Sequence, residues 1–170
     1  DVIEGPFTEE IIVEECVGKC RKILLEDYTG SDCGNCPRAA EKAAELKEIF
    51  GDQLIPVALH AGFFADSDIF PFISDFTTDS GDEWDTHFGN SDAGNPNGMV
   101  NRTGYPESDH ILQYSQWAQK IDELLQTEPE AYIEIEADYN ASTHSVSINT
   151  ETEILQSISA PLSLNLILTE

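Results

Sequence analysis

Two cysteines with two residues between them, Cys33-Gly34-Asn35-Cys36, stand between an apolar run and a proline. The run is Lys22-Ile23-Leu24-Leu25-Glu26-Asp27-Tyr28, and Pro37 follows Cys36 directly. A strand that feeds a short loop and then a helix would set this dithiol on a helix N-terminus. There the macrodipole and the free N–H groups favour a thiolate over a thiol. A stabilised thiolate is what thiol–disulfide exchange needs. Cys33, first of the pair, is expected to be the more exposed sulfur and the nucleophile. Cys36, in the first helical turn, is expected to be the resolving thiol. A free Cys titrates near ~8.5, and such a position lowers it by about one to several units. Asp32 opposes the shift, because an adjacent anion raises a thiol's pKa.

The elements that would position the pair can be read from pattern. A strand over 22–28 is rich in Ile and Leu. A helix over 37–50 has Pro in its first turn, Gly51 as its stop, and Ala39, Ala43, Leu46 and Phe50 on one stripe. A second strand over 54–60 contains Pro56, which removes a ladder N–H and is expected near the strand's start. Together these form a β-loop-α-β unit of the size of a parallel crossover. Residues 62–92 read as an insertion carrying a short helix over 82–88, with Trp84 and Phe88 anchoring it. A short strand over 97–102 follows Pro96, another is expected at 111–114, and Ser115 is expected to cap a helix bearing Trp117, Ile121, Leu124 and Leu125. After Pro129 the period changes to two. Ile133, Ile135 and Ala137, then Val146 and Ile148, then Leu162, Leu164, Leu166 and Leu168 read as three half-buried strands. Ile11-Ile12-Val13 is a candidate edge strand in an acidic leader.

The fold class expected is therefore α/β, with one domain over 1–128 and an antiparallel β segment over 129–170 that begins a second, sandwich-like domain. Three strands leave an apolar face and an open edge, so either they pack on the first domain or, the favoured expectation, the chain is a fragment. It begins at Asp1 rather than Met, which points to a processed protein.

Charge narrows the partners. Eight Lys+Arg against 33 Asp+Glu give a formal charge of −25 over 170 residues, which argues against nucleic acid and anionic membrane surfaces. Six of the eight cations, Lys19, Arg21, Lys22, Arg38, Lys42 and Lys47, bracket the cysteine loop. They are either a positive patch that would depress the Cys33 pKa or an ordinary solvated face. All four cysteines (Cys16, Cys20, Cys33 and Cys36) fall between 16 and 36, and their even number suits an oxidising compartment. No run approaches the ~20 apolar residues of a membrane span. There is no nucleotide-binding glycine loop and no Gly-x-Ser-x-Gly elbow.

Three separated stretches carry a resemblance. Leu24-Leu25-Glu26-Asp27-Tyr28-Thr29-Gly30 with Cys33-Gly34-Asn35-Cys36-Pro37 is one. Pro56-Val57-Ala58-Leu59-His60-Ala61-Gly62-Phe63-Phe64 is the second, and Gly94-Asn95-Pro96-Asn97-Gly98-Met99-Val100-Asn101-Arg102 the third. Over roughly 20–170 the chain resembles the Omp-twenty-eight-related family, thioredoxin-like outer-membrane lipoproteins of Bacteroides-type bacteria. The resemblance implies a thioredoxin-like domain, export to the cell envelope, protein thiols or disulfides as partners, and membrane association only through a lipid anchor outside this chain. It implies no cofactor. By position it makes Asp27 the buried acid that shuttles protons to the resolving thiol, and Pro96 the cis-proline beside the dithiol that helps dock an extended substrate. Asp32, Pro37 and Asn95 depart from the commoner thioredoxin residues at their places.

Three other readings of the cysteines stay open. Cys33–Cys36 can be a structural disulfide in a non-catalytic envelope module. All four sulfurs can form a structural zinc site. Cys16–Cys20 can be a separate small disulfide loop, or a second dithiol that relays electrons. His60, ending the second strand, is either a proton-transfer partner or an ordinary core histidine. His87 with Asp82, Glu83 and Asp85 is either a metal or base cluster or a polar surface.

Overall fold

The computed structural model describes residues 18–66, 74–159 and 162–169. The expected edge strand at 11–13 and Cys16 lie outside them. By contact the chain divides into two units, Lys22–Gln126 being the described body of the first, and Thr127–Glu170 with Glu15–Arg21 the second.

The first unit is mixed α/β. Strand β1 (Ile23–Thr29) leads through the cysteine loop into helix α1 (Cys36–Phe50), which returns to strand β2 (Leu54–His60). Helix α2 (Asp79–Phe88), strand β3 (Asn97–Val100) and helix α3 (Trp117–Leu125) follow. The sheet order is β2-β1-β3, with β1 parallel to β2 and antiparallel to β3. Among the described residues β2 lies at the edge of the sheet, where a strand tolerates a proline's missing donor. Pro56 sits third in the strand, opposite Leu25, rather than at the start.

Side-chain alternation assigns two faces to β1. Ile23 and Leu25 pack with Ala39, Ala43, Leu46 and Phe50 of α1 and with Trp117 and Ile121 of α3. Tyr28 lies on the other face with Leu59, Phe88 and Met99, against Trp84 of α2. Each face thus has its own helix cover, and the strand between them is buried almost throughout.

Glu26 points to the α2 face, is 1% exposed, and is paired with Arg102. Arg102 Nη2 donates to Glu26 Oε1 at 2.7 Å and Nε donates to Oε2 at 2.9 Å. The guanidinium lies between the Trp84 and Phe88 rings, 4.8 and 4.7 Å from their centroids. The pair is therefore bidentate and stacked, the geometry in which a buried charge is compensated.

Several expectations are corrected. The strand expected at 111–114 is a single antiparallel bridge between Leu112 and Gly98. Ser115 does not cap α3: the N-cap is Gln116, without a side-chain cap bond, and Gln113 forms a reciprocal box with Gln116 around a short 3₁₀ turn over 114–116 that precedes the helix. Helix α2 starts earlier than 82, because the Thr78 side chain accepts from Gly81 N and caps it at Asp79.

In the second unit, strands β4 (Ala131–Asn140) and β5 (Ser145–Ile154) form an antiparallel hairpin. Its register puts Ile133, Ile135, Ala137 and Tyr139 on one face with Ile148, Val146 and Ile154. Glu134, Glu136 and Asp138 share the other face with Glu151 and Glu153. Lys19 pairs with Glu153. The third expected strand does not form: 162–169 has no ladder partner among the described residues, and Leu162, Leu164, Leu166 and Leu168 are exposed.

Candidate functional site

The cysteine loop leaves the end of the central strand. Cys33 N donates to Gly30 O at 3.2 Å and Cys36 N donates to Cys33 O at 3.2 Å, so two successive turns carry the chain into α1. Cys36 is the first residue of that helix. Asn35 makes no side-chain cap, and the first turn holds no acidic residue. The dipole's positive end is thus left facing the dithiol, with Cys36 at its first position and Cys33 in the turn that precedes it.

Cys33 and Cys36 are joined in a disulfide, with Cα atoms 5.3 Å apart. Cys33 keeps 7% exposure against 3% for Cys36, the expected order of access. Cys20 is also disulfide-bonded. In this state the sulfurs of Cys33 and Cys36 are bonded to each other and present no thiolate to a metal.

Several of the cations expected in a positive patch have partners of their own. Lys42 pairs with Glu45, Lys47 donates to Gly51 O and Leu54 O at the far end of α1, and Arg21 donates to Thr127 O and Glu128 O in the second unit. Of the six cations, Arg38 lies in the first turn of α1, and it is exposed. The helix start, rather than a cation cluster, is what favours a thiolate here.

Asp27 lies on the face of β1 that α1 covers, two residues before the strand end that leads to the loop. It is 4% exposed, and its Oδ1 has no hydrogen-bond partner among the described residues. Burial raises its pKa from 3.8 to about 7. A carboxyl with that pKa can hold or release a proton near neutral pH.

Pro96 immediately precedes β3, is buried, and follows a cis Asn95–Pro96 bond. Asn97 is opposite Tyr28, so alternation puts Pro96 level with the end of β1 on the α1 face, the face of Asp27. The structure thus brings Cys33, Cys36, Asp27 and Pro96 to one end of one sheet.

Asn95 fixes that end. Its Nδ2 donates to Thr29 O at 3.3 Å and to Ala61 O at 3.2 Å, tying together the exits of β1 and β2. A β-branched residue could not make this tie, and nothing in the local pattern announces it. Farther along, Asn90 Nδ2 donates to Asn97 Oδ1 at 2.8 Å, and Asn97 Nδ2 donates to Asn90 O and Gly94 O. The turn before β3 is thereby braced from both sides.

Asp27 Oδ1, Ser31 Oγ, His60 Nδ1 and Asn95 Oδ1 are all buried without a hydrogen-bond partner among the described residues. All four belong to the end of the sheet that carries the disulfide. Tyr28 Oη, Asn90 Oδ1 and His110 Nδ1 are likewise buried without a partner among the described residues, so such atoms are not confined to this end. His60 stacks on Phe76 with centroids 5.1 Å apart, and burial lowers its pKa, so it is neutral at pH 7. His87 packs on Phe88 and Tyr105, Asp85 accepts from Ser91, and no group of three metal-binding side chains forms among the described residues.

No family model, curated protein or solved structure matches this chain. Among the described residues no helix is long and apolar enough to cross a membrane.

Proposed function

We propose that this chain is a thiol–disulfide oxidoreductase with a thioredoxin-like core that works on protein thiols or disulfides in the cell envelope. The observation that carries the reading is the Cys33–Cys36 disulfide, which straddles the first residue of α1 at the exit of the central strand. The β1-α1-β2 crossover, antiparallel β3 and the packing of α3 on the α1 face support the core assignment.

From the disulfide state the reaction begins with a partner thiolate attacking Cys33 Sγ. The Cys33–Cys36 bond breaks, a mixed disulfide forms, and Cys36 leaves as a thiolate. Helix N–H groups stabilise that anion, and protonated Asp27 supplies its proton. A second partner thiolate then attacks the partner's bonded sulfur and expels Cys33. The partner dithiol has become a disulfide and this chain has gained two electrons, held as the Cys36 thiol and the Cys33 thiolate; the two protons given to solvent when the partner thiols ionised are balanced by solvent reprotonating Asp27 and, as pH dictates, Cys33. Read backwards, Cys33 attacks a partner disulfide, Asp27 takes the Cys36 proton, and Cys36 resolves.

Equilibration with mixtures of reduced and oxidised glutathione tests the reading. The pair is expected to interconvert, with a midpoint inside the range of about −270 to −120 mV spanned by catalytic dithiols. A bond that stays closed in all such mixtures, with a potential below about −300 mV, would make it a structural brace in a non-catalytic module.

A further inference from the structure

The residue that leads into the nucleophile is an acid. Asp32 precedes Cys33 directly, so their Cα atoms stand ~3.8 Å apart. The backbone there is held on both sides. Asp32 N donates to Phe64 O at 2.9 Å, and Cys33 N donates to Gly30 O at 3.2 Å. Gly30 packs so closely on the turn after β2 that a Cβ would lie 2.3 Å from Phe64 C and O. The Asp32 side chain itself is partly exposed and makes no hydrogen bond or ion pair among the described residues. Its charge is therefore uncompensated beside the reacting sulfur.

The adjoining loops supply no compensation. The turn before β3 meets the turn after β2, where a Cβ on Gly62 would lie 2.3 Å from Ser91 Cβ, and Asn95 binds the exits of β1 and β2. Loops 30–35, 61–66 and 89–96 thus gather at one end of the sheet. They contain Asp32, Asp66 and Asp92 and no lysine or arginine. Asp66 and Asp92 are exposed. Arg38, the cation nearest to Asp32 in sequence, lies in the first turn of α1 and forms no ion pair with it.

We propose that Asp32 selects polypeptide partners that carry Lys or Arg close to the reacting cysteine. The inference rests on the exchange reading above and names the substrate class for that same site. A partner sulfur bonded to Cys33 lies one residue from the Asp32 carboxylate. At ~3.3 Å per extended residue, a side chain two positions from that sulfur starts about 7 Å away, a gap that a long Lys or Arg stem spans. The cation then meets a carboxylate that has no partner to give up. It also offsets the negative field that Asp32 exerts on the Cys33 sulfur, so docking and thiolate formation favour each other. An acidic residue at the same place in the partner meets repulsion instead.

The test compares two single-cysteine peptides that differ only in Arg or Glu two residues from the sulfur, reacting as thiols with the oxidised protein, with glutathione as the small-thiol control. On a chain of charge −25 any cation is attracted, so the assay runs at 0.1 M salt, where fields fade over ~10 Å. The quantity read is the Arg-to-Glu ratio of kcat/KM, compared between variants so that the peptides' own thiol acidities cancel. Wild-type protein is expected to give about tenfold, the scale of one exposed attraction plus one exposed repulsion. Asp32→Asn should cut the ratio to about threefold or less, and Asp32→Lys should bring it to one or below. Glu48→Gln with Asp52→Asn removes two carboxylates at the far end of α1, Glu48 lying about 18 Å along the helix from Cys36, and should leave the ratio unchanged. No preference in the wild type, an undiminished ratio in both Asp32 variants, or an equal loss in the remote double variant overturns the proposal. Exchange with glutathione but no peptide preference overturns it alone. Exchange with neither peptides nor glutathione overturns the redox reading and the selection with it.

Discussion

Replacing Asp27 with Asn makes the folded protein more stable above neutral pH and slows its chemistry. The carboxyl is buried on the α1 face and titrates at about 7 rather than 3.8. Between those values the folded state holds a proton that the unfolded chain has released. The unfolded state therefore binds fewer protons, and stability falls as pH rises through that window. The full difference, at ~1.4 kcal/mol per pH unit, is roughly 4 kcal/mol. Below pH 4 both states are protonated and the loss is absent; above pH 7 both are ionised and the loss is complete. The amide of the Asp27→Asn variant has no such titration. Denaturant unfolding of the oxidised protein from pH 4 to 8 should show a declining wild-type stability and a flatter profile for the variant, with the variant the more stable at pH 8. In exchange assays the same change removes the group that gives Cys36 its proton or takes it away. The rate of the step that makes or breaks the Cys33–Cys36 bond should drop by about a hundredfold at pH 7, the scale of one lost general acid or base.

Cys36→Ser separates attack from resolution. Cys33 keeps its place and can still form a mixed disulfide, but no second thiol can break it. A covalent complex should accumulate on non-reducing gels, and turnover should fall by at least about a thousandfold. Cys33→Ser should form no complex. Both variants lose a disulfide that closes a very short loop, worth on the order of 2 kcal/mol in the chain-entropy model, so both are expected to fold. Equal loss of complexes in the two variants would show that the sulfurs do not have distinct roles.

The site was readable where local pattern and chemistry coincide. Pro37 after Cys36, the Ala39–Ala43–Leu46–Phe50 stripe and Gly51 bound α1 without help from the rest of the fold, so the dithiol falls at a helix start as spacing alone implies. The apolar run of β2 accommodates Pro56 at what is, among the described residues, the edge of the sheet, a fact about topology that no local window contains. The residues that stayed invisible act across the sequence. Asn95 reaches Thr29 and Ala61, and Arg102 reaches back to Glu26. Two of the six clustered cations were misread in the same way, because the helix turns Lys42 and Lys47 toward carboxylate and carbonyl partners of their own. For 162–168 the alternation of leucines is real, but period two describes what a strand needs from a partner and does not supply the partner.

Thiol reactivity of the reduced protein across pH is the most direct test of the central claim that α1 and its surroundings hold Cys33 as an exchangeable thiolate. Alkylation from pH 4 to 10, with each site quantified by mass spectrometry, should show Cys33 reacting with a midpoint well below the ~8.5 of a free cysteine and Cys36 lagging behind it. If neither thiol reacts below pH 8, the thiolate is not stabilised and the account is contradicted.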